Sequence, residues 1–267
     1  MATKAKKRLG IQSVEVAARI LNALISAGRP MALKDLAERA GMHSGKAHRY
    51  LVSLVWTELV SQEEASGHYG VGPMAIALGL TGLRNLDVVR TSAALLPALR
   101  DEINETVELA IWSPQGPVII ALEESSRPVY MNIRVGSILP LLRTATGQVF
   151  VAFLPSEAVA GLLEIESRRS PRPLSSQRIG KIIKETRARG LARVEGALVP
   201  GVNAIAAPVF DHKEQIVGVI GALGRSEELD VDLEGPVART LLRTASEISR
   251  RLGLPATGSG YPGGALK

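Results

Sequence analysis

The sequence predicts an α+β protein of more than one domain, with a small helical domain at the N-terminus and a larger domain built on an antiparallel sheet behind it. Three observations predict this fold class. The length of 267 residues suits about two domains. Short amphipathic segments at helical spacing fill residues 11–82. Runs of strand-like sequence separated by helical segments fill residues 105–253, which is typical of helices covering an antiparallel sheet.

Three short helices and a two-stranded wing make up the predicted N-terminal domain. The helices are expected over residues 13–27, 33–40 and 44–59. Ser13 and Ser44 are the expected N-caps of the first and third helices. Gly41 supplies a tight turn between the second and third helices, which is a helix-turn-helix pattern. Residues 59–71 follow as the wing.

The second half of the chain is predicted as a linker helix, a mixed domain and a tail. The linker helix is expected within residues 83–104, and the mixed domain spans 105–253. Its expected strands cover residues 107–112, 117–122, 129–134, 205–210 and 215–223. Its expected helices cover about residues 144–154, 156–166, 175–189 and 234–252. A basic arm, residues 1–10, and a tail, residues 254–267, are predicted to be disordered.

The composition excludes several classes of function. The chain has no cysteine, so disulfides, thiolate metal sites and cysteine nucleophiles are excluded. The four histidines form no metal-binding pair on one helical face, and no phosphate-binding loop or nucleophile elbow is present. We therefore expect no catalytic residue, no metal and no cofactor. No apolar run approaches the roughly 18 residues of a membrane span, so a cytoplasmic protein without membrane contact is expected.

The third predicted helix has the composition of a helix that reads DNA. Its expected outer face carries small or basic polar residues, namely Ser44, Gly45, Lys46, His48, Arg49 and Ser53. No acidic residue lies between Gly41 and Thr57, so nothing on this helix repels phosphate. Such a face fits the major groove, although an ordinary solvated amphipathic helix remains the alternative. Arg8, in the basic arm, either adds a DNA contact or belongs to a solvated tail.

Several segments resemble the IclR-type bacterial transcription regulators. In the N-terminal half these are SVEVAARILNAL, GRPMALKDLAERAGM, AHRYLVSL and GHYGVGPMAIALG, which resemble the family's winged helix-turn-helix domain. In the C-terminal half, VGSILPLLRTATGQVFVAFL and PGVNAIAAPVFDHKEQIVGVIGALG resemble its GAF-like effector-binding domain. The resemblance spans about residues 11–252. It implies a regulator, expected to be a repressor of a catabolic pathway, that binds double-stranded operator DNA as a dimer or tetramer and senses a small molecule.

The resemblance also implies which residues contact each ligand. It places the DNA-reading segment on His43–Arg49 and the wing on Glu63–Tyr69, which adds His68 to the candidate DNA contacts. It bounds the effector pocket by the TATGQ segment, where Thr146 and Gly147 are expected to offer backbone N–H groups to a carboxylate. The other implied pocket residues are Arg143, Thr144, Glu195 or its neighbour Gly196, Asn203, Ala204, Gly221 and Leu223.

Three of these pocket positions predict the kind of effector. Ala204, Gly221 and Leu223 stand where relatives that bind small keto acids have polar side chains. A tiny polar ligand would lose hydrogen-bond partners there. We therefore expect a larger and flatter organic or aromatic acid that uses the apolar wall and the space left by Gly221. Alternatively, Arg143 is only a surface charge and Gly221 only a packing residue. Two rival functions also stay open, namely a sensing module without DNA binding and an enzyme acting on the same metabolite.

Overall fold

A computed structural model describes residues 10–84, 87–127, 133–171 and 173–254. The chain separates into two compact units, Met1–Asn85 and Leu86–Lys267. Three predicted features lie wholly or mainly outside the described residues: the basic arm with Arg8, positions 129–132 of one predicted strand, and the tail from residue 255. No helix among the described residues is long and apolar enough to cross a membrane.

The first unit is a winged helix-turn-helix fold, as the sequence predicts. Its elements are α1 (Gln12–Ala27), α2 (Leu33–Arg39), α3 (Ser44–Trp56), β1 (Val60–Gln62), β2 (Tyr69–Val71) and α4 (Pro73–Arg84). The wing strands β1 and β2 pair antiparallel, with Val60 opposite Val71. One core joins the helices and the wing, because Ile20, Leu36 and Leu51 are completely buried in the same cluster.

The two predicted serine caps in this unit are wrong. Helix α1 begins one residue before Ser13, after an N-cap at Ile11, and α3 begins at Ser44 itself, after an N-cap at His43. Neither N-cap makes a side-chain hydrogen bond to its helix. Ser44 is therefore the first helical residue of α3, which leaves its hydroxyl on the exposed surface.

The second unit is an antiparallel sheet with helices on both faces. Its elements are α5 (Asp87–Ser92), α6 (Leu95–Ile103), β3 (Thr106–Ser113), β4 (Gly116–Glu123), α7 (Ala145–Phe153), α8 (Ser156–Arg169), α9 (Ser176–Arg189), β5 (Ala192–Glu195), β6 (Val202–Phe210), β7 (Ile216–Arg225) and α10 (Pro236–Arg251). The described strands form one sheet in the order β4-β3-β7-β6-β5, and every neighbouring pair is antiparallel. The predicted α+β class is confirmed.

Alternate residues of each strand enter different cores. On β3, Val107 and Leu109 pack in the cluster that contains α6 and α10. Ala110 packs instead in a second cluster, with Val149 and Phe150 of α7. Because side chains alternate along a strand, Glu108 lies on the α7 face together with Ala110. This parity decides which residues can reach the site between the sheet and α7.

Two other departures from the predicted elements have local physical causes. The single linker helix expected over 85–104 is interrupted at residues 93–94, between α5 and α6. Pro97 explains the break, because it has no N–H to give to the Ala93 carbonyl and its ring would clash with that oxygen. Strand β5 is absent from the predicted elements because its alternation of buried and exposed residues lasts only four positions. Residues 133–134, the described end of the predicted strand 129–134, are not in a strand.

Candidate functional site

Helix α3 presents a polar face to solvent and an apolar face to the core. Ala47, Leu51 and Leu54 are buried at helical spacing against the rest of the first unit. The chain enters the helix through Gly41, whose φ of +66° lies in the left-handed region that favours glycine. The opposite face carries the predicted DNA-contacting residues: Ser44, Gly45, His48, Arg49 and Ser53 are exposed, and Lys46 is half-buried. The structure thus places all six on an accessible surface.

The charge and shape of this face suit an anionic partner that approaches closely. Within the described residues, Lys46 and Arg49 have no ion-pair partner, so both cations are available. A Cβ built on Gly45 would meet nothing within 4 Å, which shows that internal packing does not require a glycine there. The missing side chain instead lowers the surface of the first turn. Together these residues form a basic face that can lie against phosphates and base edges.

The wing has a defined turn next to His68. The Ser66 hydroxyl donates to Glu63 Oε2 at 2.5 Å and accepts from the His68 N–H at 3.1 Å. The backbone carbonyl of His68 accepts from the Glu63 N–H at 2.8 Å. The imidazole is half-buried beside this turn. The exposed acids Glu63 and Glu64 face solvent at the same turn, so they limit the contact that the wing can make with phosphate.

The second unit contains a cavity between the α7 face of the sheet and the loops around it. The space between its walls amounts to about 410 Å³ when the open solvent at its mouth is included. The walls are mainly apolar, and the lining residues are Glu108, Ile133, Leu139, Arg143, Thr144, Ala145, Thr146, Val194, Leu198, Val199, Val202, Ala204 and Leu223. A mainly apolar lining with a few polar groups is typical of a site for a small organic molecule.

One buried polar pair lies in this cavity. Glu108 is only 4% exposed, and its Oε1 accepts a hydrogen bond from Thr146 Oγ1 at 2.5 Å. Burial raises the pKa of the Glu108 carboxyl to about 7, an effect that the Thr146 hydrogen bond partly offsets. A carboxyl group with such a pKa changes its charge near neutral pH. Perturbed groups of this kind are concentrated at functional sites.

The N-terminus of α7 forms a second polar feature of the cavity. Thr144 is the N-cap, and its hydroxyl accepts from the Gly147 N–H at 3.0 Å while donating to the Pro140 carbonyl at 2.6 Å. The cap leaves the N–H groups of Ala145 and Thr146 without a hydrogen bond to the described residues. First-turn N–H groups and the helix dipole favour an anion at this point.

Arg143 holds one wall of the cavity in place. Its guanidinium donates two hydrogen bonds to the Ala197 carbonyl, at 3.0 and 2.9 Å, and one to the Leu198 carbonyl at 3.2 Å. Leu198 and its neighbour Val199 line the cavity. The side chain is therefore not an idle surface charge, because it fixes the loop that closes the site.

Four predicted pocket residues are not among those that line the cavity. Asn203 and Glu195 border a separate polar depression, because Val202, Ala204 and Val194 occupy the inward positions of the same strands. Gly147 does not offer its N–H to a ligand, since Thr144 already accepts from it. The remaining five predicted residues, namely Arg143, Thr144, Thr146, Ala204 and Leu223, do line the cavity.

Gly221 is the fourth predicted residue that does not line the cavity. It was expected to leave space for the effector, and this expectation is wrong. Gly221 lies directly opposite Glu108 in the β3–β7 pairing. A Cβ at this position would lie 3.1 Å from Glu108 Oε1 and 3.2 Å from Thr146 Oγ1. The space above the glycine is therefore filled by the Glu108–Thr146 pair. Sequence reasoning missed Glu108 altogether, although a lone acid inside the apolar strand VELAIW was the available signal.

Within the described ranges, no group of three or more His, Asp or Glu side chains is arranged to hold a metal ion.

Comparisons with known proteins match nearly the whole chain. The family described as bacterial transcriptional regulator IclR C-terminal matches residues 80–250, and the IclR helix-turn-helix domain matches residues 13–64. The glycerol operon regulatory protein of Streptomyces coelicolor is 32% identical over 252 residues, which cover 91% of this chain and 97% of that protein. These matches join the helix-turn-helix unit and the cavity-bearing unit in the same order as here.

Solved structures share this architecture. The crystal structure of Pseudomonas aeruginosa HmgR is 38% identical, covers 92% of this chain and all of that chain, and superposes with a TM-score of 0.60. An IclR homolog from Microbacterium hydrocarbonoxydans, crystallised with 4-hydroxybenzoate, is 17% identical with a TM-score of 0.71. The match covers 90% of this chain and 98% of the homolog, and it shows that the two proteins share a fold.

Proposed function

Because this chain belongs to the IclR family of bacterial transcriptional regulators, we propose that it represses a catabolic operon and releases it when a small organic or aromatic acid enters the cavity beside α7. Family membership makes it a DNA-binding transcriptional regulator that responds to a ligand. The observation that carries the rest of the proposal is the accessible basic face of α3, which contains no acidic residue.

The proposed DNA contact is made by the N-terminal half of α3 in the major groove. Lys46 and Arg49 reach phosphates or base edges, and His48 and Ser53 extend the same face. Ser44 and Gly45 allow the start of α3 to approach the sugar–phosphate backbone of the DNA. The N–H groups of the first helical turn attract phosphate there. His68 in the wing and Arg8 in the basic arm are proposed as additional contacts.

The proposed effector site is the cavity itself. A carboxylate would bind the N–H groups of Ala145 and Thr146 at the start of α7, and an apolar or aromatic body would lie against the surrounding aliphatic side chains. The Microbacterium homolog that was crystallised with 4-hydroxybenzoate supports an aromatic acid as the first class to test. Arg143 contributes by holding the loop that carries Leu198 and Val199.

Self-association is part of the proposal. Helix α4 exposes four apolar side chains, namely Met74, Ile76, Leu78 and Leu80, each between 47% and 56% accessible. Met74 and Leu78 lie on one side of this helix, and Ile76 and Leu80 lie on the other. Covering either side with a second copy removes apolar area from water, which favours a dimer, or a tetramer made of two dimers. A symmetric dimer presents two α3 helices to half-sites about one helical turn, roughly 34 Å, or a multiple of that apart.

We propose domain limits and a cellular setting that follow from this function. The DNA-binding domain is taken as residues 11–82 and the effector domain as 105–253, with the interrupted helices between them as the connection. The curated relatives are regulators rather than enzymes, and we assign catalysis to no residue of this chain. The protein would act in the cytoplasm, where bacterial DNA lies.

Selection of genomic fragments by the full-length protein tests the proposal. We expect enrichment of a near-palindromic sequence, to which Lys46→Ala and Arg49→Ala bind more weakly while remaining folded. A reporter gene behind the selected fragment should be silenced by the protein and released by the effector. If no fragment is enriched, the protein does not recognise an operator. If expression rises with the protein alone, the sign is activation.

A further inference from the structure

The polar interior of the cavity depends on Glu108 and Thr146. The Thr146 hydroxyl donates to Glu108 Oε1, and within the described residues this is the one hydrogen bond of the carboxyl group. The other polar hydroxyl in the lining, on Thr144, is engaged by its own helix cap. The carboxyl group therefore retains accepting capacity in a cavity whose other walls are largely aliphatic.

The surrounding backbone fixes this carboxyl group in place. Gly221, paired with Glu108 across β3 and β7, leaves the volume in which the carboxyl group lies. A Cβ at Gly221 would stand 3.1 Å from both Cγ and Oε1 of Glu108, closer than ordinary packing allows. The acceptor is thus positioned before any ligand arrives, which is the condition for selective recognition by a hydrogen bond.

We propose that Glu108 selects effectors that carry a hydroxyl group on an apolar or aromatic body, by accepting a hydrogen bond from that hydroxyl. This inference rests on the proposed effector cavity. It adds that the effector carries a hydroxyl group as the partner of Glu108. A site built to bond a hydroxyl discriminates strongly against the analogue that lacks it, because its own buried polar group then stays unpaired.

The charges around Glu108 give the proposal a second signature. Among the residues that line the cavity, Arg143 is the other charged group, and its guanidinium is engaged with the Ala197 and Leu198 carbonyls. Thr146, which bonds Glu108, is neutral, and so are Gly221 and Leu122, which pair with it across the two neighbouring strands. Since burial raises the pKa of Glu108 to about 7, the empty cavity holds a proton part of the time at neutral pH. A donated hydroxyl favours the ionised form of Glu108, whereas the carboxylate of the effector favours the protonated form. A hydroxylated acid should therefore take up fewer protons on binding than the same acid without the hydroxyl.

Titration calorimetry with benzoate and the three hydroxybenzoate isomers tests this selection. At least one isomer should bind about tenfold or more tightly than benzoate, the ratio expected for a hydrogen bond to an ionised acceptor. Repeating the titration at pH 7 in two buffers of different ionisation enthalpy should show less proton uptake for that isomer than for benzoate.

Variants assign the effect to Glu108. Glu108→Gln keeps the size of the side chain and an oxygen for Thr146. It should reduce the hydroxyl preference to less than about threefold and abolish the difference in proton uptake between benzoate and the preferred isomer. Glu105→Gln is the matched control: Glu105 is also buried but does not line the cavity, and it pairs with Arg127 at 3.0 Å. This control should keep both effects. Thermal melting of each variant verifies that it is folded.

Four results would overturn the inference. They are equal binding of benzoate and every isomer, equal proton uptake for benzoate and the preferred isomer, an unchanged preference in Glu108→Gln, and failure of all four probes to bind. Operator binding by the same preparations separates the two levels: intact DNA binding without hydroxyl selectivity refutes only the role of Glu108, whereas loss of DNA binding refutes the proposed regulator.

Discussion

Replacing Glu108 with glutamine should change how the stability of the second unit depends on pH. Burial raises the pKa of this carboxyl from 4.5 to about 7 in the folded protein. A group whose pKa is raised on folding holds its proton more tightly in the folded state. Its stabilising contribution is therefore complete below pH 4.5 and is lost as the pH rises through about 7. At about 1.4 kcal/mol per pKa unit, the loss amounts to about 3 kcal/mol.

Tryptophan fluorescence can measure this loss in the relevant unit. The chain has two tryptophans, and Trp112 of β3 lies 5.5 Å from the ring of Phe150 in the second unit. Trp56 belongs to the first unit and is 82% exposed, so a Trp56→Phe background leaves Trp112 as the reporter. Urea unfolding between pH 4.5 and pH 9 then gives the difference in free energy of unfolding between Glu108 and its glutamine variant.

That difference should fall by about 3 kcal/mol across this range, with most of the change complete by about pH 8. Glu124→Gln, at an exposed position just after β4, should show no comparable pH-dependent difference from the parent. A difference between Glu108 and the glutamine variant that stays constant with pH would refute the raised pKa. A difference that grows with pH would mean that folding lowers the pKa of Glu108 instead of raising it.

Three further outcomes are expected. Arg49→Ala should weaken operator binding several-fold and lower the slope of log affinity against log salt by about one. Lys181→Ala on α9 should change neither quantity. Equal loss of binding in both variants would show that α3 has no special role. Gly147→Ala should lower the free energy of unfolding by about 1–3 kcal/mol, because its Cβ would overlap two backbone carbonyl oxygens. Gly180→Ala, with open space around it in α9, should raise it by about 0.5–1 kcal/mol in the same urea titration. Arg143→Ala should weaken calorimetric effector binding several-fold without altering operator affinity of the free protein, and unchanged effector binding would show that its loop contacts are dispensable.

The helix-turn-helix unit was predictable because its information is local. Buried residues recur at helical spacing in α1, α2 and α3, and Gly41 marks the turn between the last two. The polar face of α3 followed from the same periodicity. Only the caps failed, because a serine near a helix start is a cap only when the backbone places it one residue before the first turn. The linker failed for a similar reason, since Pro97 breaks the helix four residues upstream of itself.

The cavity was less predictable because it depends on strand parity and on pairing between distant strands. A shift of one residue in β5 or β6 moves a side chain to the other face, and this is why Asn203 and Glu195 lie outside the cavity while Ala204 lines it. The pairing of Glu108 with Gly221 joins strands more than a hundred residues apart. Nothing in the local sequence around either residue predicts that contact.

A cleavage experiment on DNA can locate α3 directly, because the chain has no cysteine of its own. Ser53→Cys places one thiol on the exposed face of α3, and Ser176→Cys places one at the exposed start of α9. Each thiol would carry an iron–EDTA group and be tested on the selected operator fragment. The α3 derivative should cut at two symmetric positions one or more helical turns apart, and the α9 derivative should leave those positions intact. Uniform or absent cutting from α3, or the same pattern from α9, would contradict the assignment of this helix as the DNA reader.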